Sequence, residues 1–283
     1  MTKNDKMICG LCGRDDFRVV ASNNLIRFKC FGYDKKVLRC VDCGLVQLLP
    51  QWTNNELNDL YSEYSAKIDF EGQKRTENER LYLEEFIDER DKVLEIGCGL
   101  GNNLRRLKEL GYNVIGIDKD PKVCDNILIF NKDYQELDHS DKYDFIYAIH
   151  VMEHIPQPKL FIKKIIDSLK SKGRFVLEIP NVDDPLLTTY RVKKFNSFYW
   201  YPYHLFFFNE RTLKELLFKF QDIRFTIKLR QRYGLRNHLR WITKGKPGDN
   251  NEKIHVLDDV YMFLLTRMLR VSDTIIVYGE KCE

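Results

Sequence analysis

The sequence predicts an α/β protein, with a mostly parallel sheet covered by helices on both faces and a small cysteine-paired module at the N-terminus. Three observations carry the prediction. Beyond Lys92, short apolar runs alternate with amphipathic helical stretches, the pattern of a parallel sheet. The first of those runs closes on Gly97, Gly99 and Gly101, at the kind of strand end where open α/β sheets bind ligands. Ahead of them, Cys9 with Cys12 and Cys40 with Cys43 form two Cys-x-x-Cys pairs.

The N-terminal module spans residues 1–50. Gly follows Cys12 and Cys43, and a β-rich piece, Leu25 to Phe28, lies between the pairs. Two thiolates separated by two residues hold one face of a tetrahedral ion, so the two pairs predict a zinc ribbon liganded by Cys9, Cys12, Cys40 and Cys43. Four thiolates close the coordination shell, which assigns the ion a structural role. A helical lead-in over residues 51–90 follows, with Leu57, Leu60, Tyr61 and Tyr64, then Leu81, Leu83, Phe86 and Ile87, at mostly helical spacings.

The main domain occupies residues 91–283. Its first strand runs from Lys92 into the glycine turn, and a helix from about Asn102 to Leu110 ends at Gly111. Further strands are expected at Asn113 to Asp118, Ile127 to Phe130, Tyr143 to Ile149 and Gly173 to Ile179, with a helix from Lys159 to Leu169. Between Asp120 and Ile127 there is no room for a full crossover helix, so the second crossover is abbreviated. An aromatic segment, 181–209, then leads into a helix from Glu210 to Phe220, a strand from Ile223 to Arg230 and a last strand from Thr274 to Tyr278. Residues 232–272 read as an insertion in that closing pair, and Lys244 to Asn251, rich in turn formers, as a loop.

Composition narrows the partners. Lys and Arg total 46 against 42 acidic residues, a net charge of +4 that lacks the dense basic stripe of a dedicated nucleic-acid binder. Charges interrupt the first thirty residues, so no secretory segment can be drawn there, and no run approaches the ~20 apolar residues that span a bilayer. The expectation is a cytoplasmic chain with no membrane span, whose eight cysteines serve metal or packing rather than disulfides.

The glycine turn gains meaning from Asp118, which closes the second strand in Gly-Ile-Asp-Lys119 about 20 residues on, where a carboxylate can accept both hydroxyls of a ribose. A dinucleotide fold would offer G-x-G-x-x-G; Glu95-Ile-Gly97-Cys98-Gly99-Leu-Gly101 instead resembles motif I of class I S-adenosylmethionine-dependent methyltransferases. The resemblance covers about Arg75 to Tyr278. It implies a Rossmann-like class I methyltransferase fold with a seven-stranded sheet, and S-adenosylmethionine held by Glu95, the three glycines, Cys98, Asp118 and Lys119. It extends to Asp133-Tyr134 after the third strand, where an acid commonly meets the adenine, and to Glu153-His154-Ile-Pro156 after the fourth, beside His150. Tyr203-His204-Leu-Phe-Phe-Phe-Asn209, with the paired cysteines and Tyr61 and Tyr64, is similar to a bacterial subgroup that includes many enzymes of sugar and cell-surface polysaccharide clusters. That implies a sugar, nucleotide-linked sugar or related precursor as acceptor, and Tyr64 beside the cofactor.

Methyl transfer from a sulfonium is an in-line displacement that needs alignment and, for a hydroxyl acceptor, a base; histidine suits the role near neutral pH. Of the six histidines, His139 and His255 sit in charged or inserted surface stretches, and His238 has no derivable role. His150 and His154 flank the end of the fourth strand. His204 lies in the aromatic segment, where related sugar methyltransferases keep an active-site histidine, and is chosen as base, against a plain reading as a core histidine wedged among aromatics. His150-Val-Met-Glu-His154 also fits the H-x-x-E-H pattern of zinc peptidases. That chemistry needs both histidines on one helix, and the preceding run reads as a strand. Ubiquinone-pathway O-methyltransferases have a similar E-x-x-E-H stretch, which leaves magnesium as a further option, with Glu153 otherwise satisfying backbone groups at a helix start. Two other classes stand beside the leading reading: an RNA methyltransferase using the ribbon and the Arg224 to Arg240 cluster, and a non-catalytic scaffold that binds S-adenosylmethionine.

Overall fold

The computed structural model describes residues 7–21, 35–53, 55–57, 59–60, 81–119, 127–137, 140, 142–248 and 255–283. Its strands are β1 (Phe17–Ala21), β2 (Lys36–Cys40), β3 (Val46–Leu49), β4 (Lys92–Ile96), β5 (Asn113–Asp118), β6 (Ile129–Asn131), β7 (Tyr143–Ile149), β8 (Leu169–Pro180), β9 (Phe206–Phe207), β10 (Ile223–Arg230) and β11 (Thr274–Lys281). Its α-helices are α1 (Asn102–Glu109), α2 (Pro158–Ser168), α3 (Pro185–Thr188), α4 (Lys193–Tyr199), α5 (Glu210–Leu217), α6 (Leu235–Lys244) and α7 (His255–Phe263). The chain divides into two compact units, one of Met1–Thr53, Ile179–Lys219 and Ile227–Ile276, the other of Asn54–Glu178, Phe220–Thr226 and Val277–Glu283.

The larger sheet has the order β10-β11-β8-β7-β4-β5-β6. β4 pairs in parallel with β5 on one side and β7 on the other, so successive connections leave it in opposite directions and its C-terminal end is a topological switch point. The central strands read as continuous apolar runs because both faces are covered: Val93, Leu94, Phe145, Ile146 and Tyr147 have no exposed surface. α1 turns Leu104 and Leu107 inward, and Gly111, at φ +92°, lets the chain reverse into β5. Strands β5, β7 and β10 coincide with or closely match their expected limits. β6 starts two residues late, β8 begins at Leu169 with a register shift between Tyr143 and Phe145 on its partner, and β11 continues to Lys281.

The first unit holds a four-stranded sheet, β1-β2-β3-β9. The N-terminal segment supplies three strands, and the fourth is Phe206–Phe207 from the aromatic segment, antiparallel to β3 with Val46 opposite Phe207 and Gln47 opposite Phe206. A two-residue strand has no sequence signature of its own; it exists because β3 offers an edge. In the same unit Trp241 of α6 packs edge-on against Phe195 of α4, ring centroids 5.0 Å apart. Residues 232–272 carry α6, α7 and a π-helical turn, Leu264–Met268, and the loop expected at 244–251 begins at Gly245, whose φ of +64° caps α6. In the helical lead-in, Leu81–Phe86 forms a 3-10 helix, and Leu57 and Leu60 are buried. The piece from Leu25 to Phe28, Tyr61, Tyr64, His139 and the abbreviated crossover lie outside the described residues.

Candidate active site and cysteine cluster

At the end of β4 the three glycines take left-handed backbone conformations, with φ of 71° at Gly97, 50° at Gly99 and 68° at Gly101. The turn is anchored to β5: Gly97 N donates to Ile117 O at 2.8 Å, and Gly99 N donates to the Asp118 carboxylate at 2.8 Å. The glycines differ in what surrounds them. A Cβ at Gly97 would stand 2.5 Å from Val151 Cγ2, whereas one at Gly99 would meet nothing within 4 Å. Gly97 therefore serves close packing, and Gly99 faces open space beside a carboxylate.

Glu95 lies under this cradle, buried, with Asn103 Nδ2 donating to one oxygen at 2.7 Å and the Tyr147 hydroxyl to the other at 3.0 Å. Those bonds tie β4 to α1 and β7, so the acid also holds the cradle's shape. Cys98 turns its sulfur towards Gly116, where an added Cβ would approach it to 2.7 Å, so the thiol packs against β5. Asp133 caps the short 3-10 helix Tyr134–Glu136 by accepting from Gln135 N, and also pairs with Lys119 at 2.6 Å. Tyr134 points into the core, its ring edge-on to Phe161, and burial raises its hydroxyl pKa.

At the end of β7, His150 adopts φ +54°, a conformation in which a non-glycine residue signals a local constraint. Its Nδ1 lies 3.4 Å from Glu153 Oε1 and its Nε2 3.3 Å from Glu178 Oε1, so one imidazole spans two buried carboxylates. His154 Nε2 is 3.9 Å from the same Glu153 oxygen. Glu153 thus faces histidines rather than serving α2, whose N-cap is Gln157. Residues Met152–His154 make a single 3-10 turn after a strand, not the helix a peptidase needs. Sequence reasoning missed Glu178; the available signal was an acid inside the apolar run Phe175-Val-Leu-Glu-Ile179.

In the first unit the four cysteines converge. Cys9 and Cys43 sulfurs are 3.5 Å apart, Cys12 and Cys40 sulfurs 3.6 Å, and all four lie within 4.8 Å of one another. A tetrahedral zinc with Zn–S of ~2.3 Å requires sulfurs about 3.8 Å apart, so the cage has the right size. The two knuckles repeat one turn: Gly13 N donates to Cys9 O at 2.9 Å and Gly44 N to Cys40 O at 3.0 Å, with φ of 77° and 81°. Burial pushes the Cys9 thiol up to about 11 and that of Cys43 higher still, so without a cation those two are neutral, whereas burial of Cys12 is outweighed by hydrogen bonds that hold its thiol below its ordinary value. Gln47, fully buried in β3, accepts from Gly10 N at 3.0 Å and donates to Ile8 O at 3.1 Å, which fastens the first knuckle to the sheet. Sequence reasoning missed Gln47 as well.

His204 follows the aromatic helix α4 and precedes β9. Its ring centroid lies 5.7 Å from that of Tyr201 and 5.8 Å from that of Phe207, and Leu48 N donates to Leu205 O at 2.9 Å, so β3 sets the course of the backbone beside it. His238, which had no role in the sequence, is a core residue: its Nδ1 is 2.6 Å from the Tyr261 hydroxyl, and burial lowers its pKa to about 4. Nearby, burial and the Asp273 charge raise Asp184 to about 8, while Asp273 collects bonds from Gln231 Nε2 at 2.6 Å and from the backbone N–H of Arg232 and Tyr233.

A family profile described as "Methyltransferase domain" matches residues 68–221, more than half of the chain. The chain belongs to this methyltransferase family. Over 101 residues it is 32% identical to a ubiquinone biosynthesis O-methyltransferase of Bradyrhizobium diazoefficiens, covering 32% of this chain and 40% of that one. Over 160 residues it is 28% identical to a tRNA U34 carboxymethyltransferase of Shewanella halifaxensis, covering 50% and 48%. An (S)-coclaurine N-methyltransferase of Papaver somniferum is 26% identical over 160 residues, with 50% and 44% covered. The methyltransferase therefore spans less than half the length of each of these relatives. Among solved structures, a SAM dependent methyltransferase from Archaeoglobus fulgidus matches with a TM-score of 0.51 and 22% identity over 79% of this chain and 99% of that one, a likeness of fold. The fold is the Rossmann-like methyltransferase fold expected from the sequence. Among the described residues no helix is long and apolar enough to cross a membrane.

Proposed function

We propose that this protein transfers a methyl group from S-adenosylmethionine to a small acceptor. The observation that carries the reading is the cradle at Gly99, open to solvent on the side a Cβ would occupy and flanked by the Asp118 carboxylate. A nucleoside cofactor without phosphate needs that combination: backbone it can approach closely, and an acid for ribose hydroxyls rather than a helix N-terminus for pyrophosphate. Bound there, S-adenosylmethionine supplies an electrophilic methyl carbon on a sulfonium. Asp118 accepts from the ribose, Glu95 keeps the loop on its strand, and Lys119 orients Asp133 at the neighbouring strand end. His150 and His154, beside Glu153 and Glu178, bound the methionine side at the end of β7.

We assign His204 as the base that takes the acceptor proton as the new bond to the methyl carbon forms. Its support is its half-buried seat among Tyr201 and Phe207, and the resemblance of Tyr203 to Asn209 to sugar methyltransferases. The same resemblance suggests a sugar or nucleotide-linked sugar as acceptor, since aromatic faces suit sugar rings. We further propose zinc on Cys9, Cys12, Cys40 and Cys43 in a structural role, because four thiolates leave no open position. The tRNA-modifying relative keeps an RNA acceptor as the second reading.

Calorimetric titration with S-adenosylmethionine and its demethylated product, on the wild type and Asp118→Ala, tests the site. Binding should weaken about tenfold or more in the variant, the loss of charge-assisted bonds of ~1.5–3 kcal/mol. A folded wild type that binds neither ligand removes the methyltransferase reading. With binding established, nucleotide sugars lead the acceptor screen, and salt-sensitive binding of tRNA would move the acceptor to RNA.

A further inference from the structure

Seventeen large apolar side chains stand exposed among the described residues, and eight of them fall between Leu239 and Leu269, in the insertion that forms α6 and α7. The clustering follows from how the two helices pack. α6 turns Asn237, His238 and Trp241 inward and presents Arg236, Leu239 and Ile242 outward. α7 and the π-helical turn after it, Leu264–Met268, bury Asp258 and Leu265, and leave Val260, Phe263, Leu264 and Met268 exposed, Phe263 at 59% and Met268 at 68%. Leu257, Val260, Leu264 and Met268 recur every three or four residues along α7 and its continuation, and an exposed apolar stripe of this kind marks an interaction surface.

Charge identifies its partner. Arg236, Lys244, Lys246 and Arg267 are exposed on the same insertion, while Arg270 is paired with the Glu210 carboxylate. Of its acids, Asp258 is buried and accepts from Leu235 N at 2.8 Å at the start of α6, which leaves Asp259 as the exposed acid among the described residues of the two helices. An isologous dimer would set this patch against itself and bring the arginines and lysines into mutual repulsion. A polar headgroup layer carrying negative charge above an acyl interior instead matches both components, as it does for helices that lie in the membrane interface with Lys and Arg around an apolar face. The helices are too short to span, so the contact is with the surface.

We infer that the α6–α7 insertion docks on an anionic phospholipid surface, seating Val260, Phe263, Leu264 and Met268 among the acyl chains and the surrounding cations at the headgroups. This surface is independent of the cofactor reading.

The test is co-sedimentation of the full chain with phosphatidylcholine vesicles with and without phosphatidylglycerol, at low and raised salt, for the wild type, the double variant Phe263→Asp/Met268→Asp and Arg267→Glu. The wild type should partition to anionic vesicles about tenfold better than to neutral ones, and raised salt should reduce the difference. Both variants should lose most of that binding while melting at the wild-type temperature, since the altered side chains are exposed. S-adenosylmethionine titration of the same samples keeps the two readings apart: unchanged cofactor affinity in the variants is expected. Three results overturn the inference: a wild type that ignores anionic vesicles, a double variant that binds them equally well, or a wild-type dimer by light scattering that Phe263→Asp/Met268→Asp dissolves.

Discussion

Two alanine substitutions two residues apart should fail in different ways. Gly97→Ala and Gly99→Ala each place a side chain at positive φ, 71° and 50°, at a shared cost of about 1–2 kcal/mol. At Gly99 the new methyl meets nothing within 4 Å, so that cost is the whole stability effect. At Gly97 it also strikes Val151, 2.5 Å from Cγ2 and 3.3 Å from Cγ1, and a β-branched neighbour cannot swing away; overpacking of this kind adds about 1–3 kcal/mol. At ~2–4 °C per kcal/mol for a chain of this size, Gly97→Ala should melt ~2–12 °C below Gly99→Ala. Affinity should separate the two further, because only Gly99→Ala fills the cradle: S-adenosylmethionine binding should fall at least about tenfold with the fold retained. Thermal melts and calorimetry read both quantities, and Val151→Ala should recover stability in the Gly97→Ala background alone. Equal melting temperatures for the two variants, or a Gly99→Ala protein that binds the cofactor as the wild type does, would refute the division of labour drawn from the backbone.

Replacing His204 by Gln should lower kcat by ~10²–10⁴-fold while cofactor affinity stays unchanged, if it is the base; a core histidine would instead show as a lower melting temperature with kcat intact. Gln47→Ala strips partners from two backbone groups of the first knuckle, at ~1–3 kcal/mol each, so zinc should pass to a colorimetric chelator about tenfold faster or more; an unchanged rate means the knuckle does not depend on β3. The pH dependence of stability has a sign fixed by two buried groups. Asp184 is raised from its ordinary 3.8 to about 8, so it favours the folded state while protonated, and that contribution is lost as pH rises towards 8. His238 is lowered from 6.5 to about 4, which works the other way and is complete by pH 6.5. Between pH 6.5 and 8 the His238 contribution is constant while that of Asp184 still falls: its share of the stability should decline as pH rises, and Asp184→Asn, which keeps the acceptor for Leu186 N, should make the pH slope less negative than the wild type's.

The parts of the fold legible in the sequence were those set by local pattern. β5 and β10 fall where their runs of apolar and alternating residues put them, and Gly111 stops the chain after α1 as a C-terminal glycine should. The cysteine spacing anticipated a cage that the folded chain closes to zinc-sized distances. What escaped depends on partners distant in sequence. β9 is two residues long and exists through β3, about 160 positions earlier, and β8 reaches back to Leu169 because Tyr143 offers it a ladder. Glu178 and Gln47 looked like polar residues in strands; their meaning lies in His150 and in Gly10, which no window around either residue contains. The side chains of Cys98 and Tyr134 face Gly116 and Phe161, directions the motif does not encode, because a motif fixes where a backbone goes and not which way each side chain turns.

The two halves of the proposed chemistry are built by different physical means. The cofactor cradle needs only backbone geometry and one acid, and it sits at the switch point of a parallel sheet whose strands are buried on both faces; short-range pattern suffices to specify it. The segment around His204 has no such scaffold of its own. Its backbone course is set by β3, β3 is fastened through Gln47 to the Cys9–Cys12 knuckle, and Phe206 packs so close to Gly10 that a Cβ there would lie 2.7 Å from its ring. Gly10→Ala therefore perturbs the contact between knuckle and strand without altering a single cysteine. If the ribbon is what orders the base-bearing segment, this substitution should slow methyl transfer severalfold at unchanged zinc content and unchanged S-adenosylmethionine affinity. Unaltered turnover in a variant that keeps its zinc would assign the ribbon to stability alone.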